Sequence, residues 1–314
     1  MFTGCKFHRL ADISASRVFD FIARLRTYAP PTGNRKQRQQ LSLQTLNYYL
    51  RSCKQFCRWA IRDRRTADNA LTHLQGWNAR LDRRHARRAL EPEEISWLLT
   101  TAQASAWQYR GMTGRDRHAL YAVALGTGLR AGELASLTPD NFRLEEDPPV
   151  VHLLAAYAKN EKEVDQPIPC DVVTLLRGYL ADKSTQDLVW PGTWSERSAR
   201  MFQHDLEEAR QRWLAAGADA EERAPRAESS FLAYRDGAGL VADFHALRHS
   251  FITLLAKSGV SPKLAQSLAR HSDINLTMSR YTHVVVQDQA TALAALPQLV
   301  PPRSETTGEE KAVG

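Results

Sequence analysis

The chain has 314 residues, of which 43% are hydrophobic and 25% are charged, and its formal net charge is +7. This length allows two domains, and this balance of residues is typical of a water-soluble protein with a sizeable core. No apolar run approaches the roughly 18 residues that span a bilayer, and the first residues lack the apolar stretch of a signal peptide. These observations exclude a membrane protein and predict a cytoplasmic location.

The positive charge is concentrated in the first third of the chain. Residues 1–90 hold 19 Lys and Arg against five Asp and Glu, a net charge of +14, whereas residues 91–314 carry −7. Aromatic residues, among them Tyr48, Tyr49 and Trp59, alternate with these basic residues. A merely solvated surface would also explain the charge, but the combination favours nucleic acid as the partner.

Two amphipathic helices are predicted in this basic third. Apolar residues at helical spacing mark a short helix over residues 18–25 and a longer one over residues 43–61. Residues 30–34, with two prolines and a glycine, separate the two helices. Cys53 and Cys57 lie on the apolar face of the longer helix, which favours buried reduced thiols over half of a metal site.

A dense run of arginines follows at residues 80–90. It contains Arg80, Arg83, Arg84, Arg87 and Arg88. Such a run is equally compatible with a solvated linker and with a segment that lies along DNA phosphates between two DNA-contacting domains. We predict a basic linker here, and its five arginines are candidate DNA contacts.

The sequence changes character at Glu91, where Glu-Pro-Glu-Glu places a proline and acids in the first turn of a helix. A second domain is therefore predicted from this residue onward. Further helices are predicted over residues 116–126 and 130–137, on either side of a Gly-Thr-Gly turn. Two β-prone runs at 150–154 and 164–168 predict a small antiparallel sheet, with Lys159 near the hairpin turn.

The remainder of the chain is predicted to be mostly helical. One helix starts near residue 172, and a second covers 196–214. Residues 215–243, rich in Ala, Gly and Glu, predict a mobile loop. Helices resume at His245, after a Ser-Pro pair at 261–262, and near Leu276. The fold class is therefore mainly α with a small antiparallel β-sheet.

Arg130 lies at the start of a predicted helix, directly after the glycine-bounded turn. Backbone amides at a helix start point outward and favour anions, so this position suits a phosphate. The glycine spacing does not match a dinucleotide-binding or P-loop motif. Glu133 can orient the guanidinium, and Arg130 taken alone is better explained as the structural partner of this glutamate.

His245 and Arg248 are three residues apart, so one helix face presents an imidazole and a guanidinium together. His271 follows the next short helix, and Tyr281 lies ten residues later. A tyrosine hydroxyl, with a pKa near 10, is a weak nucleophile at neutral pH. A covalent role for Tyr281 would therefore require cationic donors around a phosphate.

The set resembles the catalytic pattern of the tyrosine recombinase, or phage integrase, family. The family's arginine, hairpin lysine, His-Xaa-Xaa-Arg, second histidine and tyrosine nucleophile are matched in order by Arg130, Lys159, His245, Arg248, His271 and Tyr281. The stretches Thr-Gly-Leu-Arg-Ala-Gly-Glu-Leu, His-Ala-Leu-Arg-His-Ser-Phe and Arg-Tyr-Thr-His are highly specific together. The matching region spans residues 90–296, and residues 10–75 are more weakly similar to the family's helical core-binding domain.

The resemblance implies a domain order. A helical core-binding domain that clamps DNA is expected over residues 1–79, followed by the basic linker at 80–90. An α+β catalytic domain is expected over 91–300, with its helix at 285–300 packed on a neighbouring copy, and a disordered tail over 301–314. The core-binding domain is expected to be abbreviated, or the chain to start within it.

The resemblance also implies site-specific recombination of double-stranded DNA, without a cofactor or a metal. Tyr281 would attack the scissile phosphate and form a 3′-phosphotyrosyl link, while the two arginines hold the non-bridging oxygens. Lys159 would protonate the leaving 5′-oxygen, and the two histidines would assist by acid-base chemistry. The working assembly would be a homotetramer on two recombining sites, associated with the nucleoid.

The sequence departs from the family pattern at several places. Arg270 replaces the glycine that usually precedes the second histidine, so either the local turn differs or Arg270 donates to phosphate, which makes it a further candidate DNA contact. A basic residue that usually follows the lysine is missing, so Lys159 is the preferred lysine and Lys162 the alternative. The segment 184–243 is longer than a minimal family member needs.

Two other functions are compatible with these motifs. A type IB topoisomerase uses the same chemistry on one strand, and relaxation of supercoiled plasmid without a specific site would identify it. A non-catalytic DNA-binding relic of a recombinase is the second alternative. The filling of all six catalytic positions argues against a relic.

Overall fold

The computed structural model describes residues 2–27, 40–156 and 163–281. The chain divides into two compact units, Met1–Ala86 and Arg87–Gly314. Lys159, its alternative Lys162, the predicted helix at 285–300 and the predicted tail at 301–314 lie outside the described residues. No helix in the described ranges is both long enough and apolar enough to cross a membrane.

The first unit is built from helices. They are α1 (Phe2–Cys5), α2 (Ala15–Thr27) and α3 (Leu43–Arg62), with short 3-10 helices at Leu10–Asp12 and Ala79–Asp82. The two predicted amphipathic helices are therefore confirmed. Ser42 caps α3 by accepting a hydrogen bond from the amide of Thr45. Ile22 and Leu46 are fully buried in the core of this unit, where Cys57 is also buried.

The second unit combines helices with one small sheet. Its helices are α4 (Pro92–Ala104), α5 (Gly114–Thr127), α6 (Ala131–Leu134), α7 (Cys170–Leu180), α8 (Ser198–Ala215), α9 (Ala220–Glu228), α10 (Ala246–Lys257), α11 (Pro262–Leu268) and α12 (Asn275–Tyr281). Its strands are β1 (Phe142–Arg143), β2 (Val150–Leu153) and β3 (Val164–Pro167), in the antiparallel order β1-β2-β3. The predicted fold class is thus confirmed.

The two predicted strands pair as expected, with Leu153 opposite Val164. Gln166 of β3 is buried, whereas its neighbours Asp165 and Pro167 are exposed, as the two-residue period of a strand requires. The two-residue strand β1 was not predicted, because two residues are too few to show an alternating pattern.

Two predicted segments differ from the structure. The helix predicted over 130–137 is the single turn α6, which Arg130 precedes. The predicted loop at 215–243 was wrong for α9, where the Asp219 side chain caps the amide of Glu222. None of the residues of α9 is buried, so the segment lacks the apolar periodicity that would mark a helix, and Pro225 lies inside it.

The core of the second unit surrounds α5, which is buried on nearly every side. Tyr121 of α5 packs edge-on against Phe202 of α8, with ring centres 5.5 Å apart, and Phe244 packs against both rings. Phe244 directly precedes His245 at the start of α10. This aromatic packing fixes the backbone from which α10 begins.

Candidate active site

Arg130 precedes α6 and is bound to Glu133 in two ways. Its backbone amide donates to Glu133 Oε2 at 2.8 Å, and its guanidinium Nη1 donates to Oε1 at 2.7 Å. The turn before it needs Gly128, whose φ is +63° and where a Cβ would meet the ring of Phe251 at 2.4 Å. The Arg130 side chain remains 25% exposed, so its other donors are available to a ligand.

Arg248 lies on α10 and is 3% exposed. Its guanidinium donates to the carbonyl oxygens of Gly128 and Ala269. Because a guanidinium has five N–H donors, these two contacts leave others for an anion. Burial and the nearby guanidiniums of Arg130 and Arg270 lower the pKa of Arg248. An arginine nevertheless stays charged at neutral pH, so this crowding of cations favours an anionic ligand.

His245 is the residue before α10, and its position is set by Asp243. The His245 backbone amide donates to Asp243 Oδ1 at 3.0 Å, and Arg87 Nε donates to both oxygens of the same carboxylate at 2.8 Å. Burial, with the charges of Arg87 and Arg248, lowers the pKa of His245 to about 4. The ring is therefore neutral at pH 7 and can accept a proton.

His271 follows α11 and is held by Thr277 of α12. Its Nδ1 lies 2.9 Å from Oγ1 of the fully buried Thr277, and its backbone carbonyl accepts a hydrogen bond from Gln266. Burial, together with the charges of Arg248 and Arg130, lowers the pKa of His271 to about 4. The ring is neutral at pH 7, with Nδ1 engaged and Nε2 left for a ligand.

These four side chains, Arg130, Arg248, His245 and His271, form what we name the Arg–His cluster. Arg130 and Arg248 both lie close enough to lower the pKa of His245 and of His271, so the structure brings the four side chains together. Beside His245 and Arg248 lies a cavity of about 250 Å³, which Arg87 and Asp243 also line. The cavity has room for a phosphate group next to two guanidiniums.

Tyr281 ends α12, and its hydroxyl is engaged elsewhere. It donates a hydrogen bond to the carbonyl oxygen of Val260 at 2.7 Å, and burial raises its pKa above the ordinary value. Within the described residues, this partner is not a member of the Arg–His cluster. The structure therefore brings together Arg130, Glu133 and the rest of the cluster, but not the hydroxyl of the predicted nucleophile.

The pH dependence of stability follows from the lowered pKa of His245. Between its folded pKa of about 4 and the ordinary value of 6.5, the unfolded chain binds a proton that the folded chain does not. This contribution to stability is fully present above about pH 6.5 and is lost as the pH falls towards 4. At about 1.4 kcal/mol for each pKa unit between about 4 and 6.5, it amounts to about 3.5 kcal/mol at most.

Urea unfolding at pH 7 and at pH 4.5 checks this prediction. The wild type is expected to lose more free energy of unfolding between the two values than His245→Asn, which lacks the titrating ring. Equal losses in the two proteins would show that His245 is not held neutral.

The predicted linker arginines divide into two groups. Three of them form ion pairs: Arg84 with Asp82, Arg87 with Asp243, and Arg88 with Glu94, each at 2.8 Å. Arg80 and Arg83 are exposed and line a groove of about 340 Å³ together with Arg51 and Tyr48. Of the five arginines, these two are the more available to DNA.

A basic face of α3 was missed in the sequence. Arg51, Lys54, Arg58 and Arg62 line a second groove of the first unit, of about 740 Å³, beside Trp59, which is 48% exposed. Their spacing of three, four and four residues places them on one helix face, so the signal was present. Asp243, Gln166 and Thr277 were also missed, and they carried no such signal because their roles depend on tertiary contacts.

One group in the described part of the chain has ligand atoms close enough for a metal ion. His204, Asp205 and Glu208 offer atoms within 4.8 Å of one another. Both carboxylates are already paired, however, Asp205 with Arg117 at 2.8 Å and Glu208 with Arg212 at 2.7 Å. The group therefore lacks the net negative charge that attracts a divalent cation, and we assign no metal to it.

The fold and this geometry define a mainly helical protein of two units, with a cavity that guanidinium groups line in the second unit. Residues 88–288 match the model of the phage integrase family. This match covers more than half of the chain, and the chain therefore belongs to that family. The resemblance found in the sequence motifs is confirmed.

Curated relatives include two named tyrosine recombinases. The chain is 29% identical to XerD of Vibrio cholerae over 204 residues, which cover 62% of this chain and 58% of that protein. It is 26% identical to XerC of Xanthomonas campestris pv. campestris over 257 residues, which cover 81% and 68%. For several relatives the chain spans about half of their length, between 49% and 58%.

Solved structures share the fold at lower identity. The integrase of transposon Tn1549, in complex with transposon right end DNA, superposes with a TM-score of 0.60 at 18% identity, covering 92% of this chain and 89% of that one. A lambda integrase dimer bound to a COC′ core site gives 0.56 at 15% identity, covering 87% and 81%. The architecture described above is therefore that of these integrases.

Proposed function

We propose that this protein is a tyrosine-type site-specific DNA recombinase, which cuts and rejoins DNA through a 3′-phosphotyrosyl intermediate. The observation that carries the proposal is the convergence of Arg130, Arg248, His245 and His271, of which His245 and Arg248 line one cavity. Membership of the phage integrase family and the recombinase relatives support it.

The two arginines hold the scissile phosphate. Negative charge builds on the non-bridging oxygens as the pentacoordinate phosphorus forms, and guanidinium donors fixed in advance stabilise it. Arg248 is fixed by two backbone carbonyls and Arg130 by Glu133, so neither has to be ordered when DNA binds. Such preorganisation is the main source of rate acceleration in this chemistry.

In the cleavage step, the Tyr281 oxygen forms a bond to phosphorus while the bond from phosphorus to the 5′-oxygen breaks. The phenolic proton passes to a base, for which His245 and His271 are the candidates, since both rings are neutral at pH 7 and the negative charge of a bound phosphate raises their pKa. Lys159 gives a proton to the leaving 5′-oxygen. Rejoining reverses the step, with the 5′-hydroxyl of a DNA strand attacking the phosphotyrosine. Because the phosphotyrosyl ester conserves the energy of the broken bond, cleavage and rejoining need neither a nucleotide cofactor nor a metal ion.

Tyr281 has to move before it attacks. Its hydroxyl is bound to the Val260 carbonyl at 2.7 Å, and burial raises its pKa. Both features make the resting tyrosine a poor nucleophile. The hydroxyl therefore exchanges the carbonyl for the phosphate when DNA occupies the cavity.

Double-stranded DNA is the proposed partner of both units. In the first unit, the role proposed for residues 1–79 is that of a DNA clamp, supported by the groove that Arg51 and Arg58 line and by the exposed Arg80 and Arg83. The working assembly is a homotetramer on two recombining sites. Sedimentation of the complex formed with one duplex for every two chains is expected to give the mass of four chains and two duplexes, and a complex of fewer chains would contradict it.

Tyr281→Phe is expected to bind DNA as the wild type does and to form no covalent adduct, because only the nucleophilic oxygen is lost. The measurement uses nicked duplexes from the DNA that flanks the gene, with adducts resolved on denaturing gels and affinity measured separately. Tyr234→Phe, a half-buried tyrosine of the second unit, is the matched control and is expected to form adducts normally. An adduct with Tyr281→Phe would disprove the assignment of the nucleophile.

A further inference from the structure

Arg270 adopts a backbone conformation that disfavours its own side chain. Its φ is +52°, in the left-handed region where residues with a Cβ are strained and glycine is not. The resemblance to integrases indicated a glycine here, and the sequence left open whether the turn changes or the arginine contacts phosphate. The turn keeps the conformation that a glycine favours, so any role specific to Arg270 has to come from the contacts of its side chain.

The Arg270 side chain is directed into the protein. It is 8% exposed, and its Nη1 donates to Gln166 Oε1 at 2.6 Å while its Nη2 donates to Glu133 Oε2 at 2.9 Å. The other oxygen of the same carboxylate accepts the guanidinium of Arg130 at 2.7 Å. One buried glutamate therefore joins the phosphate-binding arginine to Arg270.

These contacts join three segments, two of which carry proposed catalytic groups. Glu133 belongs to α6, directly after Arg130, and Gln166 belongs to β3 of the hairpin strands. Arg270 itself lies between Ala269, whose carbonyl accepts a hydrogen bond from Arg248, and His271. A shift of any one segment would therefore displace the side chains that the other two segments position.

We propose that Arg270 is a positioning residue for DNA cleavage, which fixes Arg130 through Glu133 and holds it in register with β3 and with the His271 segment. This role rests on the proposed recombinase function. It does not require contact with DNA, because the guanidinium acts on Arg130 through Glu133 and on β3 through Gln166. A glycine at this position would leave the backbone relaxed but the three segments unconnected.

The ion pair between Arg270 and Glu133 also affects the charge of the carboxylate, not only its position. Burial raises the pKa of Glu133, but the guanidinium of Arg270 and the hydrogen bonds from Arg130 outweigh it, so the pKa lies below its usual value. The charged groups that face this carboxylate are Arg130 at the start of α6, Arg248 on α10 and Arg270. Without Arg270 the pKa of Glu133 rises, and protonation then releases Arg130 at a higher pH.

Arg270→Gly tests the role, with Arg110→Gly as a matched control. Arg110 is also an arginine at positive φ, +48°, but its side chain contacts Thr193 and Glu196, outside the site. Arg270→Gly is expected to cleave about 10- to 100-fold more slowly, as when a group that orients an active-site residue is lost. Its DNA affinity and salt dependence are expected to stay unchanged, and the acidic limb of its rate profile to move to higher pH. Arg110→Gly is expected to match the wild type.

Two further variants separate positioning from folding. Arg270→Lys keeps the charge but not the planar fork, and is expected to restore part of the rate and the original acidic limb. In a Glu133→Gln background, adding Arg270→Gly is expected to cost little more, because both act on Arg130. If Arg270→Gly shows no melting transition, the rate and the acidic limb of Arg270→Lys decide.

Several results would overturn this inference. Equal cleavage by Arg270→Gly and wild type contradicts a positioning role, and so does an additive loss in the Glu133→Gln background. A parallel fall of DNA affinity and salt slope identifies a phosphate contact instead. Absence of any adduct with the wild type is a different result, because it contradicts the proposed recombinase function itself.

Discussion

Arg130→Ala and Arg248→Ala are each expected to form the covalent adduct about 10²- to 10³-fold more slowly, because each removes a donor aimed at charge that develops on the phosphate. Only Arg248→Ala is expected to lose stability as well. The Arg248 side chain is buried and satisfies the carbonyls of Gly128 and Ala269, and each buried acceptor left unpaired costs about 1–3 kcal/mol. Arg130 is partly exposed and binds a carboxylate that has a second partner.

Single-turnover adduct formation at saturating DNA, with urea unfolding of the same proteins, measures both effects. Arg130→Ala is the cleaner probe of catalysis because its fold is expected to persist. Arg200→Ala, an exposed arginine of α8, serves as the control and is expected to behave as the wild type. Cleavage by Arg130→Ala and Arg248→Ala within twofold of the wild type would rule out the phosphate clamp.

Asp205→Ala is expected to destabilise the second unit by about 3–5 kcal/mol, which is the cost of leaving a buried charge without its partner. Asp205 and Arg117 are both fully buried, and Asp205 Oδ2 accepts from Arg117 Nε at 2.8 Å and from the Tyr121 hydroxyl at 2.6 Å. The loss is a large part of the stability of a typical domain, about 5–15 kcal/mol. The measurement is the free energy of unfolding in urea.

Two further variants serve as references for the unfolding of Asp205→Ala. Glu145→Ala breaks the exposed pair of Glu145 with Arg177 and is expected to cost less than about 1 kcal/mol. The double variant Asp205→Leu with Arg117→Met is expected to be more stable than Asp205→Ala, because it buries no unpaired charge. A loss below about 1 kcal/mol for Asp205→Ala would show that Arg117 finds another partner or water.

The fold could be predicted where the sequence carries a periodic or capping signal. The longer helix of the first unit and the start of α4 at Pro92 followed from apolar spacing and from acids in the first turn. α9 and β1 could not be predicted in this way. α9 buries nothing, and β1 is too short to alternate.

The site could be predicted as a set of residues but not as a geometry. The motifs identified Arg130, His245, Arg248 and His271, which the structure places together. The partners that fix them are distant in sequence: Arg270 meets Gln166 across 104 residues, and Arg87 meets Asp243 across 156. Such contacts depend on packing, so local spacing cannot indicate them.

The linker arginines show the same limit. A run of positive charge indicates a surface for DNA, but ion pairs decide which of its members are free to bind. Arg88 is bound by both oxygens of the buried Glu94, which also accepts the amide of Leu232, whereas Arg83 is exposed. Sequence alone does not distinguish these two residues.

Identification of the amino acid that carries DNA tests the central claim most directly. The wild type is trapped on a nicked duplex, digested with protease and nuclease, and the nucleotide-bearing peptide is sequenced by mass spectrometry. The account predicts a 3′-phosphate ester on Tyr281, in the peptide that contains Ser-Arg-Tyr-Thr-His. A nucleotide on any other residue would contradict it.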